Sequence, residues 1–139
     1  MQFVTHSEEE TIAAGRAIAR ALPPQAVVSL TGDLGAGKTT LVKGIAEERA
    51  GVSPDEVSSP TFTLIHEYGH PVRVFHIDLY RLEEERELAT LGLDELADRQ
   101  ALVLIEWARR FPRLPLDLSH EVTIEHETRG SRRILLRAL

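Results

Sequence analysis

Gly32-Asp33-Leu34-Gly35-Ala36-Gly37-Lys38-Thr39-Thr40 fits the pattern G-x-x-x-x-G-K-S/T, a glycine-rich loop built to cradle a polyphosphate. Its flanks agree with that reading. Ala26-Val27-Val28-Ser29-Leu30-Thr31 reads as a short buried strand, and Leu41-Val42-Lys43-Gly44-Ile45-Ala46 opens a helical pattern. A polyphosphate needs backbone N–H groups converging on it with no Cβ in the way. Glycines permit such a loop, and the following helix aims its positive dipole end at the same point. The whole stretch from Gly32 to Thr40 is the expected nucleotide-binding segment. Within it Lys38 offers a point charge to the β- and γ-phosphates, and the Thr39 hydroxyl offers a ligand to Mg²⁺. The expected ligands are a nucleoside triphosphate and Mg²⁺.

Outward from the loop, Ser7-Glu8-Glu9-Glu10 starts a helix, with Ser7 as N-cap and Glu10 at the capping-box position. Ile12, Ala13, Ala17, Ile18, Ala21 and Leu22 continue it until Pro23-Pro24. Beyond the loop helix, 61–68 alternates like a strand, Gly69-His70-Pro71 turns it, and 72–80 returns as its hairpin partner. Residues 82–91 read as an acidic helix stopped by Gly92, with a further helical turn from Leu93 to Ala97. The run 101–107 is apolar without alternation, the signature of a strand buried on both faces. Two last strands, 120–128 and 132–137, form a hairpin through Arg129-Gly130-Ser131. The order predicts one α/β domain over 1–139 with a P-loop NTPase fold. Its three α/β/α layers surround a mixed sheet, parallel at the centre with antiparallel hairpins at the edges.

Composition narrows the function. Of 139 residues 42% are hydrophobic and 27% charged, ordinary for a globular domain. No apolar run approaches a membrane span, and Met1-Gln2-Phe3-Val4-Thr5-His6 has no signal-peptide core, so no membrane association is expected. Cysteine is absent, which removes disulfides and thiolate metal sites and points to the cytoplasm. A net charge of −6 disfavours direct, strong binding to nucleic acid.

Hydrolysis needs metal ligands and an oriented water beside the loop. Two acids end apolar strand-like runs: Glu106 after Leu102-Val103-Leu104-Ile105, and Asp78 after Val74-Phe75-His76-Ile77. Glu106 is assigned to Mg²⁺, directly or through water, and Asp78 to the metal or to polarising the attacking water; the two roles are interchangeable on sequence. Ser59-Pro60-Thr61 lies where related folds carry a switch segment, and a hydroxyl there can reach the metal or the γ-phosphate. The histidines are read as structural or surface residues: His66 and His70 fall on strand and turn, and His76 with Asp78 lacks a third ligand nearby. Arg81, Arg86, Arg109 and Arg110 are read as a solvated face.

Taken together, residues 32–40, Ser-Pro-Thr-Phe-Thr-Leu (59–64), Glu67-Tyr68, His-Ile-Asp-Leu-Tyr-Arg-Leu (76–82) and Ile-Glu-Trp (105–107) resemble the TsaE (YjeE) family of bacterial ATPases. The likeness covers nearly the whole chain, from Ser7-x-x-Glu10-Thr11 to the hairpin Gly130-Ser131-Arg132-Arg133. The resemblance implies ATP as the nucleotide and a slow ATPase supporting threonylcarbamoyladenosine synthesis at adenosine 37 of tRNA. It implies TsaD and TsaB as partners that carry the transfer chemistry, with tRNA met only through the complex. It places Lys38 and Thr39 on the phosphate and Mg²⁺ positions and Thr61 on the switch threonine. Asp78 falls on the catalytic aspartate, Glu106 on the metal-associated glutamate, and Trp107 beside the nucleotide. Ala108-Arg109-Arg110 departs from the pattern of many relatives.

Two other readings share the loop. A small-molecule kinase needs an arginine-bearing lid and an acceptor pocket, for which little chain is left. A nucleotide-binding regulatory module without turnover differs only in rate. A GTPase is disfavoured because no Asn-Lys-x-Asp motif occurs.

Overall fold

The computed structural model describes residues 1–33, 35–96 and 99–139. Its elements, in chain order, are β1 (Gln2–Thr5), α1 (Glu8–Ala21), β2 (Ala26–Thr31), α2 (Lys38–Ala50), β3 (Ile65–Tyr68), β4 (Val74–Asp78), α3 (Leu93–Leu96), β5 (Leu102–Glu106), β6 (His120–His126) and β7 (Arg132–Ala138). All strands join one sheet in the order β1-β7-β6-β2-β5-β4-β3. Pairing is parallel for β6-β2, β2-β5 and β5-β4, and antiparallel at both sides. The mixed α/β sheet with a parallel centre is as expected.

The edge differs from expectation. The sequence order puts the terminal hairpin at the sheet edge, but β6 lies against β2 within the parallel centre. β1, which shows only Phe3 and Val4 as strand-like signal, pairs with β7 and forms the edge. Four residues cannot advertise a strand by pattern; β1 exists because β7 offers it an unpaired edge.

Strand alternation sorts the core into two clusters. Val28, Leu30, Val74, Leu102, Leu104, Val122 and Ile124 pack under α1 and α2. Val27, Phe75, Ile77, Val103 and Ile105 face the other way, beneath Leu79, Leu82, Leu88, Leu93 and Phe111. That second cover is thinner than a helical layer. The expected acidic helix at 82–91 is a 3-10 segment over Glu85–Leu91 that ends at Gly92, and α3 has four residues. Ala97, the expected end of that turn, lies outside the described residues. Among the described residues no helix is long and apolar enough to cross a membrane.

Ser7 caps α1 as expected, its Oγ accepting from Glu10 N at 3.1 Å. The reciprocal half of the box is displaced: the Glu10 carboxylate accepts from His6 N at 3.0 Å, one residue early. The α1–α2 crossing depends on a glycine in each helix. A Cβ at Gly44 would sit 2.0 Å from the Ile12 carbonyl oxygen, and one at Gly15 2.3 Å from that of Leu41. The helix packed by this close approach, α2, begins at Lys38.

Candidate functional site

The parallel strands β2, β5 and β4 end side by side, and the chemistry gathers at their carboxyl ends. The register pairs Leu30 with Glu106 and Glu106 with Asp78. Because side chains alternate, Val74, His76 and Asp78 share a face with Leu102, Leu104 and Glu106. It is the face that α2 covers, so the first turn of α2 meets both acids' neighbourhood. In the loop, Gly37 adopts φ 108° as it caps α2, a conformation that glycine takes without a Cβ penalty.

Lys38 is 7% exposed, an unusual state for a lysine outside a site. Its ammonium donates to the Gly32 carbonyl at 2.5 Å and stands 3.5 Å from Glu106 Oε1. It also lies 5.2 Å from the centroid of the Trp107 ring. The other Glu106 oxygen, Oε2, bonds His76 Nε2 at 2.6 Å. A carboxylate only accepts, so that nitrogen carries the proton. His76 is fully buried, and among the described residues its Nδ1 has no partner. His76, read as structural, bonds Glu106 and holds that carboxylate in place.

One strand over, Asp78 accepts from the Thr61 hydroxyl at Oδ2 (2.8 Å) and from Tyr80 N at Oδ1 (2.9 Å). Ser59 Oγ lies 2.7 Å from the Thr61 hydroxyl. This contact exists because the strand expected from Thr61 starts later. Residues 61–63 form a turn, Leu64 takes φ 71°, and β3 begins at Ile65. The bond from Asp78 N to the Leu64 carbonyl ties that turn back to the end of β4. Trp107 likewise falls just past β5, where φ 66° turns its ring toward Tyr80, 5.2 Å between centroids, and over Lys38. Thr39 and Thr40 lie in the first turn of α2; Leu34 lies outside the described residues.

A cavity of about 490 Å³ opens from Lys38 and Trp107 across the ends of β2 and β6. Thr31, Asp33, Arg109, Arg110, Thr123 and His126 are among its walls. Its size suits a small ligand of nucleotide dimensions. Asp78 and Thr61 are not on its wall. Sheet order explains this, since β4 lies two strands from β2 on the side away from β6.

Arg109 and Arg110, read as solvated, do more than face water, and Ala108 beside them is buried. They line the cavity, and Arg109 Nε donates to Glu121 Oε2 at 2.7 Å. Arg137 donates twice to Glu121 Oε1, at 3.0 and 2.7 Å. Burial pushes the Glu121 carboxyl up, but the bonds and charges of Arg137 and Arg109 outweigh it and hold the acid below the ordinary carboxylate range. Sequence reasoning also missed His126 and Arg132, which touch the loop: His126 Nε2 lies 2.7 Å from the Gly35 carbonyl and Arg132 Nε 2.8 Å from that of Ala36. These contacts span 91 and 96 residues, and no local signal announces them.

The arrangement defines a class: a mixed α/β domain with a small-ligand cavity, a sequestered lysine and two acids at the carboxyl ends of its parallel strands. Comparison with known proteins makes the class specific. The family described as "Threonylcarbamoyl adenosine biosynthesis protein TsaE" matches residues 5–134. The chain belongs to the TsaE family. It is 46% identical over 109 residues to "tRNA threonylcarbamoyladenosine biosynthesis protein TsaE" of Bacillus subtilis, covering 78% of this chain and 66% of that protein. The protein of the same name from Aquifex aeolicus is 35% identical over 96% of this chain and 94% of its own length. Among solved structures, Bacillus subtilis YdiB is similar with a TM-score of 0.74 and 33% identity. That match covers 99% of this chain and 84% of the other.

Proposed function

We propose that this chain is a slow, Mg²⁺-dependent ATP hydrolase that serves as an accessory subunit of TsaD and TsaB in threonylcarbamoyladenosine synthesis at adenosine 37 of tRNA. In this reading 1–139 is a single cytoplasmic P-loop ATPase domain of the three-layer NTPase type. The carrying observation is Lys38, held at the mouth of a nucleotide-sized cavity by Gly32 and Glu106. The names of its relatives support the tRNA pathway. Partners and indirect tRNA contact rest on that kinship and on the acidic charge of −6.

Strand order suggests how the substrate lies. The nucleoside takes the cavity over β6 and β2, with Trp107 at its border. The phosphates cross the loop at Lys38, and the γ-phosphate reaches the ends of β5 and β4. As the anion arrives, Lys38 exchanges the Gly32 carbonyl and Glu106 for phosphate oxygens. Each Asp78 oxygen already accepts one bond, from Thr61 or Tyr80, which fixes the carboxylate and leaves lone pairs to polarise an attacking water.

The donor set fits Mg²⁺. The Thr39 hydroxyl and the Glu106 and Asp78 carboxylates are hard oxygens. Among the described residues no group of three or more His, Cys, Asp or Glu is placed to hold a metal. Few protein ligands suit an ion that completes its shell with substrate phosphates and water. Bound there, Mg²⁺ would neutralise charge developing on the β- and γ-phosphate oxygens.

Phosphate release from ATP tests the proposal, measured for the chain alone and with TsaD–TsaB, beside Asp78→Ala. Slow release that the partners stimulate and that Asp78→Ala abolishes is expected. Absence of stimulation would remove the accessory-subunit reading, and an unaffected Asp78→Ala would remove the assigned chemistry.

A further inference from the structure

We infer that the far hairpin presets the phosphate loop, with Arg132 and His126 as positioning residues that grip the outward carbonyls of Ala36 and Gly35. The inference rests on the nucleotide reading above and concerns how the loop is held ready. Arg132 Nε donates to the Ala36 carbonyl at 2.8 Å. A carbonyl only accepts, so His126 Nε2 donates to the Gly35 carbonyl at 2.7 Å. Two consecutive peptide planes of the loop are thus each pinned by a side chain from the β6–β7 hairpin.

A trans peptide is planar, and its carbonyl and the next N–H point in opposite directions. Gripping the Ala36 oxygen therefore aims the Gly37 N–H away from Arg132, and gripping the Gly35 oxygen orients the Ala36 N–H, which closes a turn on the Asp33 carbonyl at 3.0 Å. The Gly37 carbonyl is taken by Leu41 N at 3.0 Å inside α2. The loop is braced from the hairpin at two points and from the helix at a third. With its peptide planes already fixed, the loop presents the Gly37 N–H to an anion without first ordering itself, which is where preorganisation raises affinity.

The fit is tight as well as bonded. A Cβ at Gly37 would lie 2.8 Å from Arg132 Nε and 3.1 Å from its Cδ, so the arginine stem packs directly on the loop. Both side chains are at least partly exposed, so their replacement leaves the core intact.

Equilibrium binding of ADP and of AMP, without Mg²⁺, tests this on the full chain and on Arg132→Met, Arg132→Lys, His126→Ala and Lys38→Ala. ADP presents a β-phosphate to the loop and AMP does not. Arg132→Met and His126→Ala are each expected to weaken ADP about tenfold; for Arg132→Met, whose side chain is not on the cavity wall, AMP affinity and the thermal midpoint stay unchanged, and Arg132→Lys recovers part of the loss. A purely structural role would instead lower the midpoint and weaken both ligands alike, and that result, or unchanged ADP affinity in Arg132→Met, overturns the inference. Lys38→Ala separates the two levels. If it weakens ADP while the hairpin variants do not, only the inference falls; if it too leaves ADP binding intact, the nucleotide reading falls with it.

Discussion

Glu106 and Glu121 are two carboxylates of nearly equal burial, 6% and 7% exposed at the side chain, with opposite surroundings. Glu121 is enclosed by charge: Arg109 and Arg137 both bond it at normal distances, and the acid is held in its ionised form. Glu106 has one close bond, from His76, and a lysine that stays at 3.5 Å because it also serves the Gly32 carbonyl. The first acid's partners are complete without anything else. The second shares an ammonium that a stronger anion would draw away. Burial alone therefore does not mark a site; a buried acid with a divided partner does.

Substitutions can break that contrast. The largest effects belong to the site. Glu106→Gln keeps an acceptor for His76 but loses the charge that the proposed Mg²⁺ site relies on, so the partner-stimulated phosphate release proposed above should fall about a hundredfold while the chain stays folded. Equal release from Glu106→Gln and the parent would erase the distinction. Next comes Thr61→Val, which removes one of the two bonds orienting Asp78. We expect turnover to drop about tenfold, with nucleotide affinity little changed.

Glu121→Gln should do the reverse. It leaves two arginines without their common acid, costing about 1–3 kcal/mol of stability, read as a lower thermal midpoint, with turnover changed by less than about threefold. The smallest effect is its pH dependence. A carboxyl whose folded pKa lies below its unfolded value contributes stability that is present above the unfolded pKa. That stability is lost as pH falls through the folded one. A thermal midpoint followed from neutral pH into the acid range should therefore fall more steeply in the parent than in Glu121→Gln. Parallel curves would show that the arginines do not hold the acid ionised.

Local pattern made the parallel centre legible. The apolar runs around Val28 and Leu104 could only be strands buried on both faces, and Gly37-Lys38 had to start a helix. It also made Asp78 and Glu106 legible, since each ends such a run. What pattern left hidden was decided by partners distant in sequence. β1 exists because β7 has a free edge, and Thr61 leaves the strand because Leu64 turns the backbone and ties it to Asp78. The 82–91 segment has helical composition, yet it packs as a 3-10 turn on the Val103–Ile105 face, where tertiary contact overrides propensity. His76 gave half a signal by sharing a face with Asp78. Its partner Glu106 could be found only once β4 and β5 were known to be neighbours in register.

The central claim is that the loop at Lys38 binds the phosphates of ATP. Trp107 is the only tryptophan in the chain and its ring lies 5.2 Å from the Lys38 ammonium, so tryptophan emission, excited selectively over the two tyrosines, reports on this site. Titration with ATP should change the emission saturably in the parent, and Lys38→Ala should require about a hundredfold more nucleotide for the same change. An emission that ATP does not alter, or an identical curve for Lys38→Ala, would contradict the account.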